Sequence, residues 1–354
     1  MSTEFTEKLN KVNSIEGFYA GTGIFITGAS GFVGKGLLEK LIRVCPRIVV
    51  IFILLRPKKH QTMEQRYKEI IDDPMFDDVK AKNPSALKKV HPVEGDISLP
   101  KLGLSQEDRN MLIENVNILF HVAATLNFKE PLSTAVNTNV KGTFSIIELC
   151  NELKHVISVI HVSTAYSNAN LSEIEEKVYS YGELKDTFVK YAIETPMNDL
   201  MWYPMCAMVS NRYVFTILTL FLHTLPAFIM DICLRLQGSK PRMMKFSKYY
   251  DTMSTVTHYF SIRQWSFKTD NVMDMMKEVK TLKDSDIVEL DLQDMDWDKY
   301  IGLCVIGIKK FIFKEDLKSL DAARRRLSIF YWLHQTTKAF AIITLLTIIL
   351  RVIY

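Results

Sequence analysis

The chain reads as α/β: a doubly wound parallel sheet of about five strands, followed by a mainly helical C-terminal domain. Three observations carry that reading. Five short apolar runs recur between residues 24 and 162, separated by stretches of helical length. The first run passes directly into a glycine-rich turn and a helix start, IFITGASGFVG at 24–34. Beyond about residue 170 the alternation stops, and long apolar and charged helical patterns replace it. Strands alternating with helices fold as right-handed crossovers onto one parallel sheet, the Rossmann-type arrangement.

Ile24, Phe25 and Ile26 suit a strand buried on both faces, and Thr27 ends it. Gly28, Gly31 and Gly34 follow at three-residue spacing. Gly28 permits the sharp turn, Gly31 lets backbone N–H groups approach a pyrophosphate, and Gly34 allows close helix–strand packing. Thr27, Phe32 and Val33 complete this candidate cofactor cradle. The helix from Lys35 to about Val44 sets Leu37, Leu38, Leu41 and Ile42 on one face and stops before Pro46. A phosphate at its start meets unsatisfied N–H groups and the positive end of the helix dipole.

The second strand, Ile48–Leu55, ends in Arg56, Pro57, Lys58 and Lys59. In dinucleotide folds this strand end faces the adenosine ribose, where an acidic residue favours NAD and an arginine pairs with a 2′-phosphate. No acidic residue stands here, so the reading is NADPH, with Arg56 the first candidate. Residues 60–89 are polar and helical in pattern. Val90–Asp96 is a short strand whose Asp96 is placed to accept a hydrogen bond from the adenine amine. Asn117–Val122 is the fourth strand, and Ala123 and Ala124 are small enough to let the cofactor lie close. Val136–Cys150 reads as a helix containing Asn139, a further cofactor-binding candidate. The fifth strand, Val156–Val162, delivers Ser163 and Thr164 at its carboxyl end, where ligands bind in open α/β sheets.

The chain has 354 residues, enough for two or three domains, and a net charge of +4 that implies no nucleic-acid partner. Its five cysteines (45, 150, 206, 233, 304) are far apart and lack metal-ligand spacing, so reduced thiols and no metal are expected. Four regions follow: a flexible N-terminus (1–18), an NADP-binding domain (19–200), a C-terminal domain (201–338) and an apolar membrane-associated tail (339–354). Val214–Met230 is a second apolar stretch, slightly short of the about 20 residues that span a bilayer as a helix. It suits a re-entrant or interfacial segment, or a buried helix. Arg324, Arg325 and Arg326 precede the tail and would remain on the cytosolic side.

The segments TGASGFVG (27–34), LLRPKK (54–59), EGDIS (94–98), HVAAT (121–125), NTNVKGT (137–143) and HVSTAYSN (161–168) closely resemble alcohol-forming fatty acyl-CoA reductases of the extended short-chain dehydrogenase/reductase superfamily, insect members most of all. SNRYVF (210–215), LHTLPA (222–227), GSKPR (238–242), FSIRQWSF (260–267) and AARRRL (322–327) resemble that family's C-terminal domain. The resemblance implies reduction of a long-chain fatty acyl-CoA by two NADPH, with release of CoA and a primary fatty alcohol. It implies that Thr164, with Ser163, positions the carbonyl oxygen. It also implies a peroxisomal or endoplasmic reticulum membrane, with the catalytic domain facing the cytosol; a homo-oligomer is left open.

The family's proton donor is a Tyr four residues before a Lys, several dozen residues after STAYSN. Here EKVYSYGELKDTF passes through VKYAIETPMN straight into DLMWYPMCAMVSNRYVF, so the block holding that pair is expected to be absent. YGELK supplies one Tyr-x-x-x-Lys, Tyr181 to Lys185, but a chain with 14 tyrosines contains about one such pair by chance. A shortened form that binds NADPH or membrane without turnover is the alternative expectation.

Overall fold

The computed structural model describes residues 13–58, 60–164, 181–198, 200, 202–205, 209, 211–261, 270–288 and 295–353. The chain divides into two compact units: residues 1–172 with 269–290, and residues 173–268 with 291–354.

The first unit is built on five parallel strands: β1 (Gly23–Thr27), β2 (Val50–Leu55), β3 (Val90–Glu94), β4 (Ile118–His121) and β5 (Ser158–His161), in the order β3-β2-β1-β4-β5. The order reverses between β1 and β4, which makes their carboxyl ends the switch point where ligands sit in such sheets. Successive residues of β1 serve opposite faces. Ile24 and Ile26 join one core cluster with Leu38, Leu41, Ile42 and Ile53, whereas Phe25 joins another with Phe52, Leu112, Leu119 and Leu149. Both faces are therefore covered by apolar helix faces, and β1 is buried along its whole length.

The helices on these faces are α1 (Phe32–Val44), α2 (Met63–Ile71), α3 (Gln106–Asn115) and α4 (Gly142–Glu152). α1 starts three residues before the expected Lys35. The Gly31 N–H donates to Gly28 O at 2.9 Å and the Lys35 N–H to Gly31 O at 2.9 Å, so the helical ladder begins directly at the glycine turn. α2 carries a complete capping box, with Thr62 accepting from the Gln65 N–H and Gln65 accepting from the Thr62 N–H. α4 is entered through Leu132–Ala135 and a π-helical turn at Val136–Lys141, where the Gly142 N–H reaches Asn137 O. The buried Arg109 on α3 ties the same layer together through a two-pronged pair with Glu152, at 2.8 and 2.6 Å.

Residues 13–18, at the end of the expected free N-terminus, are held in place. The turn Ile15–Tyr19 is capped by Asp284, whose carboxylate accepts from the Ile15 and Glu16 N–H groups at 2.7 and 2.9 Å. Asp284 follows α8 (Asp270–Lys280), so a late segment belongs to the sheet unit.

The second unit is helical: α5 (Tyr181–Glu194), α6 (Tyr213–Leu236), α7 (Met243–Ser261), α9 (Trp297–Gly307) and α10 (Leu320–Ile353). Gly302 lets α9 press on α5, since a Cβ there would lie 2.7 Å from the Tyr191 ring. The Lys309 ammonium is fully buried and satisfied by Pro196 O at 2.8 Å, Asn198 Oδ1 at 3.2 Å and the Glu315 carboxylate at 2.7 Å. The expected apolar stretch Val214–Met230 lies within α6, which is longer than anticipated and largely exposed. It is therefore not a buried helix. Residues 339–353 of the expected tail 339–354 are the distal part of the 34-residue α10, and residue 354 lies outside the described residues.

Candidate active site

The sheet's carboxyl edge collects most of the sequence candidates. At β1 the chain turns on Gly28, whose φ of +78° belongs to the left-handed region. A Cβ at Gly28 would stand 2.7 Å from the Ala123 nitrogen, so the turn lies directly against the strand end of β4. A Cβ at Gly34 would meet Gly28 O at 2.2 Å. Gly31 is the N-cap of α1 and offers no side chain to the helix start, while Phe32 and Val33 are exposed there. The first N–H groups of a 13-residue helix therefore open to solvent beside a cradle that any side chain would fill. These residues fit a dinucleotide pyrophosphate.

At the ends of β2 and β3 the Arg56 Nε lies 3.9 Å from Asp96 Oδ2, with the Arg56 side chain mostly exposed. The other Asp96 oxygen accepts from the Ser98 N–H and hydroxyl at 2.9 and 2.8 Å, which fixes the carboxylate. Arg66 of α2 donates to Arg56 O, bringing a second guanidinium to this corner. Its signal in the sequence was slight, a lone arginine in a polar helical stretch.

Between β1 and β4 lies a feature that motif reading missed. His121 is buried at the end of β4, with Thr27 Oγ1 at 2.7 Å from its Nδ1 and Thr143 Oγ1 at 3.1 Å from its Nε2. The Thr143 hydroxyl donates to Asn139 O at 2.8 Å, so toward His121 its oxygen accepts, and the imidazole proton sits on Nε2. Nδ1 then accepts from the Thr27 hydroxyl, whose oxygen accepts from the Ala123 N–H at 3.3 Å. Every group in this chain is satisfied by neutral imidazole. Burial first, and the neighbouring His161 ring second, push the His121 pKa down to about 4. The His161 ring stacks on His121 at 5.1 Å.

Asn139 lies in the π-helical turn, and its amide clasps Thr125. Oδ1 accepts from the Thr125 N–H at 2.8 Å, and Nδ2 donates to Thr125 O at 3.1 Å. Asn139 thus holds the 123–125 loop from behind. Ala123 and Ala124 stand on that loop, half-buried and exposed respectively. His121 is in register with His161, so Ser163 and Thr164 leave β5 alongside Ala123 and Ala124. Tyr181 and Lys185 open α5 in the second unit, one helical turn apart, and their side chains lie outside the described residues. No cluster of His, Cys, Asp and Glu suited to a metal occurs among the described residues.

An NAD-binding model described as male sterility protein matches residues 26–219, and a second model of that description matches 222–315. Curated relatives include fatty acyl-CoA reductase wat of Drosophila melanogaster, 25% identical, covering 91% of this chain and 90% of its own. Fatty acyl-CoA reductase 2 of Homo sapiens is 26% identical and covers 89% of each. The chain belongs to the fatty acyl-CoA reductase family. Its sheet unit is accordingly a nicotinamide-dinucleotide domain of an oxidoreductase family. Among solved structures, the terminal reductase domain of the myxalamid PKS-NRPS pathway is 30% identical over 45% of this reductase-family chain and 38% of its own, with TM-score 0.35. The reductase domain of a Mycobacterium tuberculosis nonribosomal peptide synthetase is 23% identical over 50% and 41%, with TM-score 0.35. The chain spans under half the length of these two structures.

Proposed function

We propose that this chain binds NADPH at the carboxyl edge of its sheet and acts on long-chain fatty acyl-CoA, giving a primary fatty alcohol and free CoA. The observation that carries this reading is the glycine turn closed against Ala123, with the open N-terminus of α1 above it and Arg56 and Arg66 at the adenosine corner. The two guanidiniums suit a 2′-phosphate, and Asp96 suits the adenine amine. NADPH, when bound, supplies the hydride for each reduction. The protein's own part is to hold the thioester carbonyl: the hydroxyls of Thr164 and Ser163 leave the sheet beside Ala123, where they meet charge developing on the carbonyl oxygen. Tyr181, with Lys185 one turn along, is the proton-donor candidate in the chain. Attachment to an intracellular membrane, peroxisomal or endoplasmic reticulum, with the sheet unit on the cytosolic side, suits a substrate with a long acyl chain; exposed α6 supports it.

A second reading, NADPH binding without turnover, is favoured by one observation. The alignments to the two relatives run over 467 and 461 positions, longer than the 354-residue chain itself. More than a hundred positions of each alignment therefore face no residue here, in keeping with loss of the family's Tyr–Lys block. The deciding experiment is acyl-CoA-dependent NADPH oxidation by the protein in mild detergent, with the product identified. Fatty alcohol formation that disappears in Tyr181→Phe supports turnover through YGELK. NADPH binding with no alcohol formed supports the second reading. On cofactor choice, Arg56→Ser is expected to cut the preference for NADPH over NADH about tenfold or more. Equal affinity of the unaltered protein for the two would remove the assignment of Arg56.

A further inference from the structure

α6 and α7 form a hairpin whose turn is built to a defined shape. α6 ends in a Schellman motif: the Ser239 N–H donates to Leu234 O at 2.8 Å and the Gly238 N–H to Arg235 O at 3.0 Å, with Gly238 at φ +74°. The start of α7 is capped from across the turn by Asp231, whose carboxylate accepts from the N–H groups of Arg242, Met243 and Met244 at 2.8, 2.8 and 3.0 Å. His223 stacks on Tyr250 at 4.9 Å and joins the two helices further along.

The charge on this hairpin end is of one sign. Between Asp231 and Asp251 stand Arg235, Lys240, Arg242, Lys245 and Lys248, and no acidic residue. All five cations are exposed, and none is in an ion pair among the described residues. Asp231 is buried in its capping role; its carboxylate offsets part of the charge of Arg235, and the other four cations have no carboxylate partner among the described residues. Exposed Leu236, Phe246 and Tyr249 are interleaved with the cations, at 83%, 62% and 66% exposure. They run on into the exposed apolar side chains of α6, among them Ile217, Phe221, Phe228 and Ile232.

We infer that the α6–α7 turn is a docking surface for an anionic phospholipid bilayer. The five cations meet the headgroups, and the α6 stripe enters the acyl boundary. A basic turn with apolar side chains between its charges fits a negatively charged lipid surface, and an apolar helix lying in the interface adds area-dependent binding. A neutral apolar partner would leave the cations unmatched. This inference rests on the membrane reading above and makes it specific: the lipid charge, and not only the apolar area, determines binding.

The test is co-sedimentation of the full chain with phosphatidylcholine vesicles, with and without ~30% phosphatidylserine, at low salt and at ~0.5 M salt. Binding to the anionic vesicles is expected to exceed binding to the neutral ones by about tenfold or more and to fall at high salt. The variant Lys240→Gln, Arg242→Gln, Lys245→Gln, Lys248→Gln is expected to bind anionic vesicles on the order of 100-fold more weakly. Unchanged helical content by circular dichroism, together with unchanged NADPH affinity, would show that this variant is folded in both units. Equal binding of the unaltered chain to both vesicles overturns the inference and leaves a membrane attachment driven by apolar area alone. Undiminished binding by the four-fold variant also overturns it. Binding to neither vesicle removes the membrane reading as well.

Discussion

Thr27 and His121 lie 94 residues apart, and their side chains meet only because β1 and β4 pair in register. A neutral, buried imidazole whose pKa is held near 4 makes folding sensitive to acid. The unfolded chain takes up the proton near pH 6.5, while the folded chain resists it down to about 4. The stabilisation is therefore complete above pH 6.5 and is lost as the pH falls from there toward 4. Urea unfolding at pH 7 and pH 5 should differ on the order of 2 kcal/mol through this residue alone. His121→Leu should flatten that difference while costing about 1–3 kcal/mol at pH 7, because Thr27 and Thr143 lose a partner. Gly28→Ala should be severe for a different reason. It combines a left-handed backbone with a Cβ 2.7 Å from the Ala123 nitrogen. A loss of roughly 2 kcal/mol or more and of NADPH binding is expected, read by thermal melts and cofactor titration. The glycine turn was legible in the sequence because its chemistry is local. The His121 relay was not, since HVAAT shows one histidine at a strand end and neither of the threonines that give it a role.

At the level of elements, strands and crossover helices followed from apolar runs and from Pro and Gly punctuation, with ends displaced by a few residues. The larger difference is α6. A charged Asp231 looks like the end of an apolar stretch, yet the helix continues to Leu236 because the carboxylate is consumed by the first N–H groups of α7. The helix thereby gains six residues over the expected Met230 end and, with Tyr213 at its start, reaches 24 residues. Asp231→Ala should unravel the first turn of α7 and cost about 1–2 kcal/mol. Amide exchange at Arg242, Met243 and Met244 should accelerate while exchange in β1 remains as it was. Asn139 is a similar case: its residue type pointed to the cofactor, but only the π-helical turn turns its amide toward Thr125.

Across the whole molecule, a five-stranded parallel sheet ends on β5, whose residues alternate between half-buried and exposed, with Val159 45% exposed. No sixth strand joins it among the described residues. The proposed NADPH site lies at the carboxyl ends of β1 and β4, beside the carboxyl end of this edge strand. At about 100 times its Kd, NADPH should add about 2.7 kcal/mol to the sheet unit, seen as protection of β1 and β4 from proteolysis or amide exchange. A cofactor that leaves those strands equally labile would argue against binding at this edge.

The cap that Asp284 places on Ile15 and Glu16 joins parts of the sheet unit that are 269 and 268 residues apart in the chain. A ribosome adding about 5–20 residues per second therefore makes the clasp tens of seconds after the residues it closes on. All five strands are synthesised long before it. The nascent sheet unit spends that interval with only the Ser14 hydroxyl capping its first turn while residues 173–268 of the helical unit are being made, and a message truncated before codon 284 would yield a dinucleotide domain that never acquires its long-range fastening.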